Sequence, residues 1–359
     1  MPRTIILLAG LLTFLLLVTP STASELKSDE TVLFLSGIGS FESNGCRIDI
    51  RGWVYESEYH KPVTSLLRRA LGIRDDELTA AELATFRERA QFFLVDNERH
   101  KRIDVRLGEL TLELSPSLAN GHFESSFHIA PADLVRAGLS PTNFVLPFRT
   151  TGSSKWFHAT TGELRFIPTN GISVVSDVDD TIKISNVNDR HELLRNTFCR
   201  PYEAVPGMAE AYERWSKSAG VTFHYVSASP WQLYAPLEGF VRSNGFPAGT
   251  FSLKSFRWKD RSFFDLFKSP EQYKLRTIEP LMERFPARRL VLVGDSGEKD
   301  PEIYGMLARK NTNRIAQIFI RNVTGEKSDS ARYRSAFAGL STNLWHVFTS
   351  PSELPAELR

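Results

Sequence analysis

The sequence predicts an α/β chain in which a parallel sheet wrapped by helices follows a β-rich, sandwich-like domain. After about residue 170, apolar strand-like runs alternate with amphipathic helical stretches, the signature of a parallel sheet covered on both faces. From about Thr31 to Pro168, apolar and polar side chains alternate instead with a period of two, as in sheets with one wet face. Between the two lies "RFIPTNG" (Arg165 to Gly171), where Pro168, Asn170 and Gly171 punctuate the chain.

Size and composition agree with two domains, 30–168 and 169–359. The 359 residues exceed the usual ~100–200 per domain. Hydrophobic content of 42% and charged content of 24% allow a sizeable core. The net charge of +2 gives no general field for nucleic acid, so no nucleic-acid partner is expected.

Arg3, the run "IILLAGLLTFLLLV" (Ile5 to Val18), Pro20 and "STAS" read as a signal peptide, residues 1–23, cleaved after Ala23. The run is shorter than the ~20 apolar residues a spanning helix needs. The expected location is periplasmic or extracellular, with an uncleaved membrane anchor as the alternative. Export permits a disulfide between Cys46 and Cys199 without demanding one. Two unpaired thiols in different domains fit equally well.

In the first half, "CRIDIRGWVYE" alternates Ile48, Ile50, Gly52 and Val54 against polar partners. "RIDVRLGELTLELS" does the same with Ile103, Val105, Leu107, Leu110, Leu112 and Leu114. A helical insert lies between them: Thr79 and Glu82 form a capping-box signature, and Leu83, Phe86, Ala90 and Phe93 recur at helical spacing. His60, His100, His122, His128 and His158 lack paired metal-ligand spacing and read as ordinary surface or core residues.

In the second half, "ISVVSD" predicts a strand and "PGMAEAYERWSKSAG" a helix with Met208, Tyr212, Trp215 and Ala219 on one face. The strand "VTFHYVS" and a helix opened by Ser229 and Pro230 follow, Ser229 reading as its N-cap. His224, inside that strand, reads as a satisfied core histidine. The strand "TFSLKSF", the helix "EQYKLRTIEPLMERF", the strand "RLVLVGD", the helix "PEIYGMLARK" and the strand "RIAQIFI" complete the series. Asp300, before Pro301, also carries an N-cap signature. "NLWHVFTS" is a candidate last strand, and residues 330–359 either finish the sheet or lie across it.

In such sheets ligands bind beyond the carboxyl ends of the strands, where Asp177, Ser227 and Asp295 all fall. These residues are 50 and 68 positions apart and meet only if the sheet is parallel. "VVSDVDDTIKIS" ends a strand with Asp177, Asp179 and Asp180, like charges that repel unless a cation or a reaction needs them. Asp177 and Asp295 suit a shared hard cation such as Mg²⁺. The spacing Asp177-x-Asp179-x-Thr181 suits one carboxylate that attacks and one that serves as acid and base. Asp180 reads as a cap for the following turn.

The segment 177–181 resembles the DxDxT signature of the haloacid dehalogenase superfamily of phosphatases. Ser227, Lys274 and "GDSGEKD" resemble its second, third and fourth motifs in order. The longer strings "SDVDDTIKIS", "FHYVSASPWQLY" and "GDSGEKDPEIY" are similar to the actin-patch-associated phosphatidate phosphatase family, with its bacterial exported relatives, over roughly residues 165–325. The resemblance implies a Rossmann-like sheet of the haloacid dehalogenase type with a minimal cap. It also implies Asp177 as nucleophile and Mg²⁺ ligand, and Asp179 as acid/base with its backbone carbonyl on the metal. Ser227, Lys274 and Thr181 would contact the phosphoryl group, Asp295 would be a second metal ligand and Asp300 an outer carboxylate. Lys254, at another strand end, competes with Lys274 for its role.

The expected activity is a Mg²⁺-dependent phosphatidate phosphatase that yields diacylglycerol and phosphate through an aspartyl-phosphate. Two alternatives stay open: a phosphatase of another lipid or soluble phosphomonoester, and a binding module in the β-rich half with an inactive hydrolase domain. The ~45 residues between the first two motifs leave no room for a large cap, which suits a phosphorylated lipid. In "SFRWKDRSFFDLFKS", Arg257, Lys259, Arg261 and Lys268 interleave with Trp258, Phe263, Phe264 and Phe267. That pattern suits peripheral membrane contact or, equally, aromatics packed inward with solvated cations. As a binding module the β-rich half would take a protein, glycan or lipid, and the sequence leaves a protein partner unknown.

Overall fold

The first half is organised around one long strand. The computed structural model describes residues 23–57, 61–138, 144–152, 159–254 and 270–358. The N-terminal apolar run, His60, His158 and the basic-aromatic stretch 255–269 lie outside the described residues. The chain runs through β1 (Glu30–Phe34), β2 (Gly37–Glu42), β3 (Gly45–Glu56), α1 (Lys61–Ala70), α2 (Ala80–Ala90), β4 (Asp96–Asn97) and β5 (Ile103–Leu107). β6 (Leu110–Leu114), β7 (His122–Ile129), α3 (Pro131–Arg136), β8 (Val145–Thr151) and β9 (Thr161–Ile167) follow. β3 bonds β1 and β2 along one side and β7 and β4 along the other.

The resulting sheet, nine-stranded among the described residues, continues from β2 through β9, β8 and β5 to β6. Its alternation is the expected one: Ile48, Ile50, Val54, Ile103, Val105 and Leu107 are buried, while Leu110 and Leu112 are half-buried. The sheet curls over one core, because Phe34 on β1 meets Phe148 on β8 edge-on with ring centroids 4.8 Å apart.

The helical insert begins with the expected capping box. Thr79 Oγ1 accepts the Glu82 N–H at 3.2 Å and Glu82 Oε2 accepts the Thr79 N–H at 2.9 Å. Its apolar face does not join the β-rich core. Leu67, Leu71, Ile73, Phe86, Ala90 and Phe93 are buried with residues of the second half. Chain order puts the insert in the first half, but its apolar stripe is covered by the second.

That second half comprises β10 (Gly171–Ser176), α4 (Arg190–Phe198), α5 (Met208–Ser216), β11 (Val221–Pro230), α6 (Tyr234–Ser243) and β12 (Gly249–Lys254). Next come α7 (Pro270–Arg284), β13 (Arg288–Asp295), α8 (Asp300–Lys310), β14 (Ile315–Arg321), α9 (Ala331–Ala336) and β15 (Trp345–Phe348). All six strands are parallel, in the order β12-β11-β10-β13-β14-β15. Residues after 330 therefore extend the sheet through β15.

Successive residues of a strand face opposite sides. Val174, Phe223, Val291 and Phe319 pack with α4, α5, α6 and the insert. Val175, Val226, Leu292 and Ile318 pack with α7, α8 and α9. Ala219 departs from expectation: α5 stops at Ser216 and Ala219 is exposed, because Gly220 turns the chain with φ of +76° straight into β11.

Cys46 and Cys199 are both free and buried in different cores, and burial pushes each thiol up to about 11. Arg51 Nη2 donates to Phe251 O at 2.6 Å, and Arg284 bonds Asp49 and, at 3.1 Å, Ser40 Oγ. Trp53 meets Trp231 edge-on, with ring centroids 4.1 Å apart. The two halves thus share a continuous contact. No described helix is long and apolar enough to cross a membrane.

Candidate active site

Parallel strands deliver their C-terminal residues to one end of a sheet. Asp177 directly follows β10, and its N–H donates to Val293 O on β13 at 2.9 Å. The chain then doubles back, with the Ile182 and Lys183 N–H groups both donating to Val178 O at 3.0 Å. Asp180 closes this loop. Its φ is +51°, Oδ1 accepts from Ser185 N at 2.8 Å and Asn186 N at 2.9 Å, and Oδ2 accepts from Val187 N at 2.6 Å. Its part is structural, as expected.

Asp177, Asp295 and Asp300 are buried, and one carboxylate oxygen from each lies within 4.8 Å of the others. Thr181 Oγ1 donates to Asp177 Oδ2 at 3.1 Å, so the threonine orients the aspartate. Lys274, reaching in from α7, puts Nζ 2.9 Å from Asp177 Oδ1 and 3.0 Å from Glu298 Oε2, and also bonds Asp300. Lys254 ends β12.

Asp295, the last residue of β13, accepts from Gly297 N at 2.6 Å and Glu298 N at 3.2 Å through Oδ1; its Oδ2 is buried and has no hydrogen-bond partner among the described residues. Asp300 is not an N-cap. Lys299 holds that position, and Asp300 Oδ2 accepts the Asp295 N–H at 3.1 Å. Gly294 makes this approach possible, since a Cβ there would lie 2.2 Å from Asp300 Oδ2.

Asp179 stands beside this cluster with its carboxylate fully occupied. Oδ1 receives Lys183 Nζ at 2.8 Å and Ser185 Oγ at 2.7 Å; Oδ2 receives Ser227 Oγ and Ser229 Oγ, each at 3.0 Å. Ser229 is therefore not an N-cap either. β11 runs on to Pro230, a short 3₁₀ turn precedes α6, and the Ser229 hydroxyl turns toward the aspartate. His224 is neutral core, bonded to Thr250 Oγ1 at 2.7 Å and Ser173 Oγ at 3.2 Å.

Electrostatics separate the two carboxylates at the first motif. Burial pushes Asp177 well above the ordinary carboxylate range against the pull of Lys274, and burial likewise raises Asp295. Burial would raise Asp179 too, but the Lys183 ammonium and the hydrogen bonds from Lys183, Ser185 and Ser227 bring it down to about 2. Asp295 Oδ2, an orphaned buried acceptor among converging carboxylates, is what a hard divalent cation would satisfy. The donor set fits Mg²⁺.

A cavity of about 230 Å³ opens on this arrangement. Asp179, Ser229 and Glu298 line it together with the apolar Val187, Leu193, Phe198 and Pro230. Sequence reasoning missed Glu298, Lys183 and Ser185. The signals were present in "GDSGEKD", with an acid between the two aspartates, and in Lys183 four places after Asp179.

Residues 172–322 match the family model described as Phosphatidate phosphatase APP1, catalytic domain. The chain is 34% identical over 167 residues to phosphatidate phosphatase APP1 of Saccharomyces cerevisiae, covering 46% of this chain and 28% of that protein. It is 29% identical over 182 residues to an uncharacterized protein of Schizosaccharomyces pombe, covering 50% of this chain and 29% of that one. The chain thus spans less than a third of the length of these curated relatives.

Proposed function

We propose that the chain is a Mg²⁺-dependent phosphatidate phosphatase, with its second half a catalytic domain of the haloacid dehalogenase type. The convergence of Asp177, Asp295, Asp300 and Lys274 beyond adjacent parallel strands carries this reading. The match of residues 172–322 to a phosphatidate phosphatase catalytic domain supports the substrate. Asp177, Asp295, Asp300 and the Asp179 backbone carbonyl would hold the ion. When bound, it would neutralise phosphoryl charge and orient the ester.

An Asp177 carboxylate oxygen attacks phosphorus, and the bond from phosphorus to the glycerol oxygen breaks, leaving an aspartyl-phosphate. Asp179 gives its proton to the departing oxygen and then takes one from the water that hydrolyses the acyl phosphate. Phosphate leaves and Asp177 is restored. Lys274 balances phosphoryl charge and Ser227 donates to a phosphoryl oxygen. To act as an acid, Asp179 must first gain a proton. A phosphoryl group that takes the Ser227 hydroxyl removes a donor from Asp179 and adds an anion beside it, and both raise its proton affinity.

The apolar lining residues Val187, Leu193, Phe198 and Pro230 suit the glycerol and first methylenes of a lipid. The apolar run before Ala23 and the boundary motif at Arg165 to Gly171 support export and a two-domain organisation. The test is phosphate release from phosphatidate in mixed micelles by the chain from Ser24 onward, with Mg²⁺ or chelator, beside Asp177→Asn. Mg²⁺-dependent release that vanishes in the variant is expected. Release from a soluble aryl phosphate alone would keep the site and discard the lipid, and silence on both would discard the enzyme.

A further inference from the structure

The helical insert of the first half reaches Asp179 through three side chains. Arg89, near the end of α2, is buried; its Nη1 donates to Thr197 O at 2.8 Å. Its guanidinium lies over the Tyr202 ring, 3.7 Å from the centroid. The Lys183 ammonium lies 5.0 Å from the same centroid. Lys183 is 1% exposed and holds Asp179 Oδ1 at 2.8 Å, while Tyr202 OH donates to Thr197 O at 3.2 Å.

A lysine stem is long and has many rotamers. An aromatic face attracts a cation without offering it a competing carboxylate, so the Tyr202 ring confines the Lys183 ammonium while leaving intact its hydrogen bonds to Asp179 and to Ser185 Oγ, itself a donor to Asp179. Arg89 and the Thr197 carbonyl fix the ring in turn. We infer that Arg89 and Tyr202 are positioning residues for Asp179, acting through Lys183, so that the helical insert is a working part of the site. This rests on the phosphatase reading above. A carboxylate displaced by about 1 Å transfers its proton poorly, at a cost of up to ~10²-fold.

The test is kcat of the full chain, with Mg²⁺, on esters running from 4-nitrophenyl phosphate through phenyl phosphate to phosphatidate. A good leaving group needs little proton donation, whereas phenolate and alkoxide need it. In Tyr202→Leu and Arg89→Met the ratio of kcat on the poor leaving groups to kcat on 4-nitrophenyl phosphate should fall at least ~10-fold. Tyr202→Phe, which keeps the ring face, should lose less than threefold in that ratio. Each ratio comes from one preparation, so a fraction of unfolded variant cancels. An unchanged ratio in Tyr202→Leu and Arg89→Met, whatever the absolute rates, would show a role in folding alone and overturn the inference. Wild-type chain silent on every ester would overturn the phosphatase reading itself, and this inference with it.

Discussion

Lys274 Nζ lies 2.9 Å from Asp177 Oδ1 and also bonds Asp300 and the partly buried Glu298, so one ammonium stands against three carboxylates. Removing one partner of a buried ion pair leaves the others uncompensated, typically at ~3–5 kcal/mol. Lys274→Met should therefore lower the melting temperature by several degrees and kcat by at least ~10²-fold. Added Mg²⁺ should return part of the lost stability by replacing the missing charge. A melting curve unmoved by both changes would show that Lys274 does not hold the cluster.

Asp295 Oδ2 is the site's one orphaned oxygen among the described carboxylates. An ion bound only by the folded chain stabilises it by ~2.7 kcal/mol at a hundred times its Kd. Wild type should melt several degrees higher in excess Mg²⁺ than in chelator, and Asp295→Asn should lose most of that difference. Equal Mg²⁺ shifts in the two proteins would place the ion elsewhere.

The Ser229 hydroxyl sits on Asp179 Oδ2 at 3.0 Å. As an N-cap it would contribute ~0.5–2 kcal/mol of stability and nothing to turnover. Ser229→Ala should instead lower kcat by roughly 5–30-fold, beside the ~1.5–3 kcal/mol that a hydrogen bond to a buried carboxylate contributes in a denaturant titration. Lost stability with kcat unchanged would restore the cap.

Serine before proline is a good N-terminal signature, and it misled because β11 continues past its expected end at Ser227 to Pro230. Sequence shows the local preference and not how far a neighbouring strand extends a ladder. The same limit explains Asp300, whose place is set by its bond to the Asp295 N–H across the β13 turn. What was legible was whatever repeats along the chain: the period-two runs of β3 and β5, the strand and helix alternation after Gly171, and the Thr79 capping box. The destination of the helical insert was not legible, because Phe86 and Phe93 declare an apolar face without naming what covers it. Lys183, four places after Asp179, was legible as a nearby charge and not as its partner, because the loop closed by Asp180 is what folds it back onto that carboxylate.

His224 is buried between Ser173 and Thr250, and burial, with Arg288 nearby, lowers its pKa to about 3. The unfolded chain, with an imidazole near ~6.5, binds this proton more readily than the folded one. Stability from neutral His224 is thus fully present above about 6.5 and is lost as pH falls toward the folded value, by ~2–3 kcal/mol at pH about 4.5. His224→Gln should narrow the gap between melting temperatures at neutral and acidic pH. An equal gap in both proteins would assign acid sensitivity to other groups.

Arg288 begins the strand that Asp295 ends. Its guanidinium gathers Pro168 O at 2.9 Å, Asn170 O at 2.5 Å, Gly220 O at 2.7 Å and Ser173 Oγ at 2.8 Å, tying the starts of β10, β11 and β13 together. Seven strand steps of about 3.3 Å put it roughly 23 Å from Asp295. At that separation two unit charges in a medium of effective dielectric ~20 interact by less than ~1 kcal/mol. The sheet therefore has a keel and a working rim at opposite poles, and a change that loosens or tightens the keel can be made without altering the field in which phosphate is handled.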